Sequence, residues 1–415
     1  MTPAGLRIAR SVVETALPKG FRHGTHRVVA PSETLARFRP LASRMGITRL
    51  GNITGLDRIG IPVAVAVRPN SRSVSVSQGK GLDLAQAMTS ALMEASEGFH
   101  AEEVGEGRYT SYRALAASCD VVDPELLCST GQACDIDAPI HWLEGFDLLR
   151  QEPCWVPAEI VHTNYTQPLD GYFLAGSNGL ASGNHPVEAI SGAICEMVER
   201  DAVAVWSASG IRARAQRSLD LASVDDRDCL ALLAKYDDAG IAVRLWNVTT
   251  DIGIAAFVCD INDPSADEPR RLRRFHGAGC HSDRAIALVR ALTEAAQTRL
   301  TYITGIRDDL LPLEYEEPQT ADIVDALLDA LRQESEAHLF HAVPSFAADD
   351  LGQDLHQELE CLRSGGITRV VAVDLTRPDF GIPVVRVVIP GLEGDIKHPH
   401  YTPGVRARRA AALSG

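Results

Sequence analysis

Apolar residues recur at helical spacing in three long stretches of the chain, and this periodicity predicts helices at 82–105, 186–208 and 283–304. Residues 321–365 carry two further helical patterns. Short apolar runs bounded by Gly, Pro or Asn predict strands. These runs are GIPVAVAVRP (60–69), SVSVS (73–77), WLEGFDLL (142–149), CWVPAEIVHT (154–163), GYFLAGS (171–177), IAVRLWNVT (241–249), GIAAFVCDI (253–261), ITRVVAVDL (367–375) and IPVVRVVIP (382–390).

The order of these elements predicts the fold class. Helices and strands mix without a regular β-α-β rhythm, so the pattern favours an α+β fold with several sheets packed against helices. Residues 1–25 are expected to form a weakly ordered or amphipathic lead-in, and the charged stretch 262–274 a surface loop. No stretch is typical of a linker. We therefore expect one domain over residues 26–415 of the 415-residue chain.

The predicted helix at 186–208 carries an unusual set of carboxylates. At about 100° per residue, Glu196 lies roughly 80° and Glu199 roughly 20° from Glu188, and Asn184 falls roughly 40° to the other side. An exposed, salt-bridged face is the default interpretation of such a cluster. Few basic residues lie one turn away, however, so the carboxylates would repel one another. A cation among them is the alternative.

Two other predicted helices repeat the pattern. SALMEASE (90–97), GAICEMVE (192–199) and RALTEAAQ (290–297) align, and each places its first, fifth and eighth residues on one face. A glycine-rich turn precedes each helix, with Asp83, Asn184 and Ser282 as candidate N-caps. Chance could produce the helical pattern alone, because Ala-Leu-x-Glu is common in helices. Glycine before a helix N-terminus admits phosphate, and nearby carboxylates can hold Mg²⁺, so the combination indicates a nucleotide–Mg²⁺ site.

Composition narrows the class of protein. The net charge of −15 argues against nucleic acid or an anionic membrane as the main partner. No apolar stretch reaches 18 residues, and no signal-peptide core is present at the start. The nine cysteines form no C-x-x-C pair, which favours reduced thiols in the cytoplasm over a zinc site. The usual phosphate-binding motifs, G-x-x-x-x-G-K-[ST] and G-x-G-x-x-G between a strand and a helix, are absent.

Four ordered segments resemble the successive signatures of the YcaO family. They are ITRLGNITGLDRIGIPVAVAVRP (47–69), GKGLDLAQAMTSALMEASE (79–97), SNGLASGNHPVEAISGAICEMVERD (177–201) and GAGCHSDRAIALVRALTEAAQTRL (277–300). The resemblance runs from about residue 25 to 395. It implies a YcaO-type mixed fold around an ATP and Mg²⁺ site. It also implies ATP-dependent modification of a peptide backbone amide, in which a nucleophile attacks the amide carbon and ATP phosphorylates the oxygen.

The resemblance also implies roles for individual residues. Those matching catalytic positions are Arg200, Glu199 and Gln297. Those matching metal ligands are Glu94, Glu97, Glu188, Glu196 and Glu199. Those matching nucleotide-binding positions are Arg27, Thr34, Ser90, Asn184, Arg200, Glu294, Gln297 and Arg299, with Arg27 and Thr34 aligned only loosely. Gly98 departs from the family, which often has Arg after the second Glu, and this puts one phosphate or structural contact in doubt.

The expected chemistry has a physical reason. An amide oxygen is a poor leaving group, so it must become a phosphate ester before it departs. Carboxylate-held Mg²⁺ would neutralise the triphosphate, and Arg200 would stabilise the transferring phosphoryl group. Two rivals stay open: a non-catalytic YcaO-like scaffold that binds a leader peptide or partner, and an unrelated acidic Mg²⁺-dependent ligase or phosphotransferase.

The end of the sequence bears on the reaction. Azoline-forming members of the family usually end in a P-x-P-x-P tail, whereas Pro390, Pro399 and Pro403 are spaced too widely for one. RVVIPGLEG (386–394) resembles members that work beside a TfuA protein, which is thought to supply sulfide. We therefore expect thioamide formation with a TfuA-like partner, with azoline formation at Cys, Ser or Thr of a precursor peptide as the alternative. No leader-binding domain is evident at the N-terminus, and the family analogy implies a homodimer.

Overall fold

Three antiparallel sheets and nine named helices build the part of the chain that the structure describes. The computed structural model describes residues 16–167, 170–264, 274–307, 327–333 and 336–413. The strands are β1 Arg49–Asn52, β2 Val63–Val67, β3 Val76–Lys80, β4 Arg108–Ser111, β5 Pro139–Asp147, β6 Glu152–Pro157, β7 Leu180–Ser182, β8 Ala242–Asn247, β9 Ala255–Asn262, β10 Arg274–His281, β11 Val371–Asp374 and β12 Val384–Val388.

Along the chain, the helices alternate irregularly with these strands. They are α1 Pro31–Phe38, α2 Leu84–Ala101, α3 Tyr112–Ala116, α4 Pro186–Ala208, α5 Ile211–Ala215, α6 Arg227–Asp238, α7 Arg284–Thr304, α8 Leu351–Ser364 and α9 Val405–Leu413. Residues 327–333 are also helical. The predicted α+β class with several sheets is confirmed, and α4 has the bounds that the sequence pattern predicts. None of the described helices combines the length and apolarity needed to cross a bilayer.

Each sheet is a short antiparallel arrangement. The first has the order β1-β2-β3 and the second has the order β10-β9-β8. The third has the order β4-β5-β11-β12-β7, and β6 pairs with β5. The predicted pair at 241–249 and 253–261 is present as β8 and β9. The first residue of β8, Ala242, lies opposite the last residue of β9, Asn262.

The three echoed segments form three equivalent strand–helix units. In each unit a strand at one end of a sheet's order (β3, β7 or β10) leads directly into a long helix (α2, α4 or α7). The helices begin at Leu84, Pro186 and Arg284, so their acidic residues fall at matching positions. Each helix also contacts the strand of the next unit: α2 meets β7, α4 meets β10 and α7 meets β3. The units therefore close into a ring.

Two glycines set the close packing inside these units. A Cβ on Gly79 would lie 2.1 Å from Ala91 N and 2.2 Å from Ala87 O, both on α2. A Cβ on Gly279 would lie 2.1 Å from Ala287 O on α7. Only glycine lets strand and helix backbones approach so closely. β3 and β10 thereby pack directly against the first turns of α2 and α7.

Several expectations need correction. GYFLAGS (171–177) forms no strand, because the buried Glu159 carboxylate accepts the backbone N–H groups of Gly171 (2.6 Å) and Phe173 (3.2 Å). The N-caps of α4 and α7 are His185 and Asp283, one residue beyond those predicted. Asp83 caps α2 as expected. Residues 1–15 of the predicted lead-in (1–25) and most of the predicted loop at 262–274 lie outside the described residues.

Candidate active site

A cavity of about 580 Å³ lies where the three units meet. Its wall is mostly polar and is formed by the inner faces of α2, α4 and α7 together with α1, β3 and β7. Most of the residues expected at the site lie in this wall: Arg27, Thr34, Ser90, Glu94, Glu97, Asn184, Glu188, Glu196, Glu199, Arg200, Glu294 and Gln297. The structure thus brings together residues that are far apart in the sequence, and their individual roles stay predictions.

Arg299 is the exception among the expected residues. It is not part of the cavity wall, and its guanidinium binds Asp57 at 3.0 Å and Asp263 at 3.2 Å. Two positions separate it from Gln297, which is roughly 200° around a helix, so the two side chains leave α7 on nearly opposite sides. The structure thus does not bring Arg299 to the cavity wall with the other expected residues, and its expected role in nucleotide binding stays a prediction. Its contacts instead join α7 to the segments that flank β2 and β9.

The two acids of α2, Glu94 and Glu97, line the cavity, and neither forms an ion pair with a residue of the described ranges. Ser182 on β7 donates to Glu97 Oε1 through its backbone N–H at 2.8 Å and its hydroxyl at 2.7 Å. Burial nevertheless raises the pKa of Glu97 to about 8. Burial also raises the pKa of Glu94 to about 7, although Lys80 and Arg307 act in the opposite direction. These carboxyls are therefore suited to take up a cation in exchange for a proton.

The acids of α4 surround its arginine. Arg200 lies 3.8 Å from Glu196 Oε1 and 3.7 Å from Glu199 Oε1, too far for good hydrogen bonds. Burial raises the pKa of Glu196 and of Glu199. The buried atoms Glu199 Oε2 and Arg200 Nε have no hydrogen-bond partner among the described residues. Unsatisfied buried groups are costly, so this part of the wall is arranged for a polar ligand.

Lys80 is a site residue that the sequence analysis missed. Its Nζ lies 2.6 Å from Glu294 Oε2, and both side chains line the cavity. Burial would raise the pKa of Glu294, but Lys80 and Arg200 outweigh burial and hold it at about 2. One signal was available: Lys80 is one of only four lysines in the chain and stands between two glycines. The contact also joins the strand of the first unit to the helix of the third.

A segment from the N-terminal region closes one side of the cavity. The backbone N–H of Val28 donates to Glu188 Oε2 at 3.0 Å, and Arg27 Nε lies 3.6 Å from Glu188 Oε1. The Thr34 hydroxyl donates to Asn184 Oδ1 at 3.1 Å. Arg27 and Thr34 therefore both contact the second unit at the cavity, and their expected contact with the nucleotide stays a prediction.

The donor set of the cavity fits Mg²⁺ that is shared with phosphate. Within the described ranges, no three His, Cys, Asp or Glu side chains converge closely enough to enclose a metal ion. Mg²⁺ commonly keeps several waters and takes only one or two protein carboxylates beside substrate phosphates. Glu94, Glu97, Glu196 and Glu199, spread along one wall beside Arg200, match that second arrangement.

Comparisons with curated proteins identify relatives of nearly the same length. A protein described as "Uncharacterized protein in tfuA 3'region" from Rhizobium leguminosarum bv. trifolii is 36% identical over 388 residues, 92% of each chain. An uncharacterized protein from Methanothermobacter thermautotrophicus is 38% identical over 370 residues, 88% of this chain and 94% of the relative.

Solved structures share the fold. The YcaO structure from Methanopyrus kandleri, bound with AMPPCP and Mg²⁺, has a TM-score of 0.73 at 24% identity and covers 91% of this chain and 95% of its own. A heterocyclase in complex with substrate and cofactor has a TM-score of 0.77 at 23% identity over 94% of this chain. This chain spans 55% of that heterocyclase.

A family model covers most of the chain and includes the three units. The model is described as YcaO cyclodehydratase, ATP- and Mg²⁺-binding, and it matches residues 78–393. That range contains the end of β3 and all of β7, β10, α2, α4 and α7. The chain therefore belongs to the YcaO family, whose ATP and Mg²⁺ are the ligands expected at this cavity.

Proposed function

We propose that this protein phosphorylates the oxygen of a peptide backbone amide with ATP and Mg²⁺, and that the product is a thioamide. The observation that carries the proposal is the ring of three helices whose carboxylates and arginine face one cavity. Bound ATP with Mg²⁺ supplies the phosphoryl group that makes the amide oxygen a leaving group. Sulfide attacks the amide carbon, the oxygen is phosphorylated, and phosphate leaves as the carbon–sulfur double bond forms.

The residues of the chain have separate tasks in this proposal. Glu94, Glu97 and Glu188 hold the Mg²⁺ side of the nucleotide together with Glu196 and Glu199. Arg200 stabilises charge on the transferring phosphoryl group, since its planar guanidinium can donate two parallel hydrogen bonds. The N-terminal segment that contains Arg27 and Val28 limits access of water from one side, because both residues contact Glu188.

The choice of sulfide over a side-chain nucleophile rests on two supports. The first is the relative encoded in a tfuA 3' region, which suggests a TfuA-like partner for this chain also. The second is the segment RVVIPGLEG (386–394), which resembles members of the family that work beside a TfuA protein. Beyond this segment, helix α9 packs against α4.

The product distinguishes the two reactions. Proteins extracted from cells that lack this chain are incubated with it, the TfuA-like partner, ATP, Mg²⁺ and sulfide, and analysed by mass spectrometry. A thioamide raises the mass by the difference between sulfur and oxygen, whereas an azoline lowers it by one water. Loss of water without any need for sulfide would favour the azoline alternative. Transfer of labelled amide oxygen into phosphate would exclude both the scaffold and an unrelated phosphotransferase.

Site variants test the cavity assignment. Glu188→Gln and Glu199→Gln should each remove Mg²⁺-dependent nucleotide binding while leaving the fold intact. Glu125→Gln is the matched control, because Glu125 is exposed and far from the cavity wall. Calorimetric affinity for an ATP analogue that is unchanged in both site variants would contradict the assignment.

Two further features belong to the proposal. All nine cysteines are free, which supports a reducing compartment such as the cytoplasm. A homodimer is expected by analogy with the family, and analytical ultracentrifugation at several concentrations tests it.

A further inference from the structure

A buried carboxylate, that of Asp201, is adjacent in sequence to the cavity residue Arg200. Asp201 follows Arg200 in α4, and its side chain is fully buried. Its Oδ1 accepts from the backbone N–H of Glu393 at 3.1 Å and from Arg406 Nε at 2.8 Å. Asp201 Oδ2 has no hydrogen-bond partner among the described residues. Arg406 is therefore the cation that compensates this charge.

The segment that Asp201 holds leads into the cavity. Glu393, only 2% exposed, accepts from Gly404 N at 2.7 Å and Ala407 N at 2.9 Å, so it fixes the start of α9. Two residues later, Asp395 lines the cavity, and its charge acts on Arg200. Asp201, Glu393 and Arg406 thus connect α9, the 393–395 segment and α4 in one network.

We propose that Arg406 is a positioning residue for the reaction, acting through Asp201 on the placement of Arg200 and Asp395. This inference rests on the proposed ATP-dependent function. Arg406 itself is outside the cavity wall, so it does not touch the nucleotide. Its role is to hold Asp201 in place, since removal of the cation leaves a buried carboxylate without compensation. Asp201 then no longer holds the backbone N–H of Glu393, and the 393–395 segment is released from α4.

The test compares four variants. Arg406→Ala removes the cation, and Arg406→Lys keeps the charge but loses the Nε–H that contacts Asp201. Asp201→Asn combined with Arg406→Ala removes both charges and therefore the need for compensation. Asp251→Asn is the matched control, because Asp251 is the second partner of Arg406 (2.6 Å) but is 60% exposed.

Two readouts do not depend on an identified peptide. Hydrogen exchange measured by mass spectrometry reports the backbone of 196–203 and 391–397, and calorimetry reports the affinity for a non-hydrolysable ATP analogue with Mg²⁺. We expect Arg406→Ala to speed exchange in both segments by about tenfold or more, with a smaller change in affinity. The double variant should return exchange toward the wild-type rate. A third readout, phosphate release from Mg²⁺–ATP, should fall about tenfold in Arg406→Ala.

The outcomes separate the inference from the proposed function. Unchanged exchange in Arg406→Ala, or exchange that the second substitution does not restore, overturns the positioning role. If Arg406→Ala does not fold, Arg406→Lys decides by the same criteria. Failure of the wild-type protein to bind the nucleotide overturns the proposed function instead, and the exchange data still report whether the network holds the segment.

Discussion

Glu94 and Glu294 occupy the same position in their units, yet their carboxyls differ in protonation. Lys80 contacts Glu294 and keeps its pKa at about 2, whereas burial raises the pKa of Glu94 to about 7. The residue matching Lys80 on β7, the strand that α2 contacts, is Ser182, which carries no positive charge. Lys80, at the end of β3, thus gives the equivalent carboxyls of Glu94 and Glu294 different pKa values.

The raised pKa values predict proton release on Mg²⁺ binding. Below pH 7, Glu94 and Glu97 are mostly protonated, because their pKa values are about 7 and about 8. Mg²⁺ needs the ionised form, so affinity for Mg²⁺–nucleotide should rise between pH 6 and 8 by about tenfold per pH unit for each proton released. Calorimetry in buffers of different ionisation enthalpy measures the protons. Affinity that does not vary with pH would contradict this prediction.

Replacing Lys80 should destabilise the protein. Lys80→Met leaves Glu294 buried without its cation, and we expect a loss of about 1–3 kcal/mol in the free energy of unfolding. Lys80→Met with Glu294→Gln should recover part of that loss. Lys397→Met, at an exposed position, is the control. Urea denaturation measures all three, and a double variant that is no more stable than the single variant would show that the pair contributes little.

Arg200→Lys tests whether the planar shape of the Arg200 guanidinium matters at the cavity in addition to its positive charge. Lysine keeps the positive charge but loses the planar pair of donors that suits a phosphoryl group. Turnover of ATP should therefore fall more than the affinity for ATP. Steady-state kinetics combined with calorimetry give both quantities, and equal losses would rule out a role specific to the transition state.

At the scale of elements, the spacing of apolar residues predicted more of the helices and strands than the amino-acid composition did. The helix at 186–208 has its predicted bounds because Pro186 starts it and its apolar stripe packs against two sheets. The strand expected at 171–177 is absent, because no local pattern reveals that a distant Glu159 carboxylate satisfies its backbone. Lys80 was missed for a similar reason: its partner is 214 positions away.

Glycine at the strand ends should be essential for the units. Gly79→Ala would place a Cβ about 2 Å from the α2 backbone, where neither strand nor helix can yield easily. We expect a loss of at least about 1–3 kcal/mol in the free energy of unfolding. Gly55→Ala is the matched control, since nothing lies within 4 Å of its added Cβ. Denaturation curves of the two variants that coincide would contradict the close-packing argument.

At the scale of the whole molecule, the cavity depends on all three units at once. The contacts that close the ring are Ser182 to Glu97, Lys80 to Glu294, and the approach of α4 to β10. A ligand that bridges the units should therefore stabilise the folded state. At one hundred times its dissociation constant, Mg²⁺–nucleotide should add about 2.7 kcal/mol, which a thermal melt detects as a higher midpoint. Stabilisation by nucleotide without Mg²⁺ to the same extent would contradict a metal-bridged site.

The ring has a consequence for the order of events during folding. Within a unit, strand and helix are adjacent in sequence and can pair early. The bond between Lys80 and Glu294 instead closes a loop of 214 positions, and such distant contacts make folding slow. The cavity should consequently be the last part to assemble. A newly made chain would spend its longest intermediate with sheets already formed and the acidic faces still apart, so nucleotide present in the cell would act on the final step of folding and not on the earlier ones.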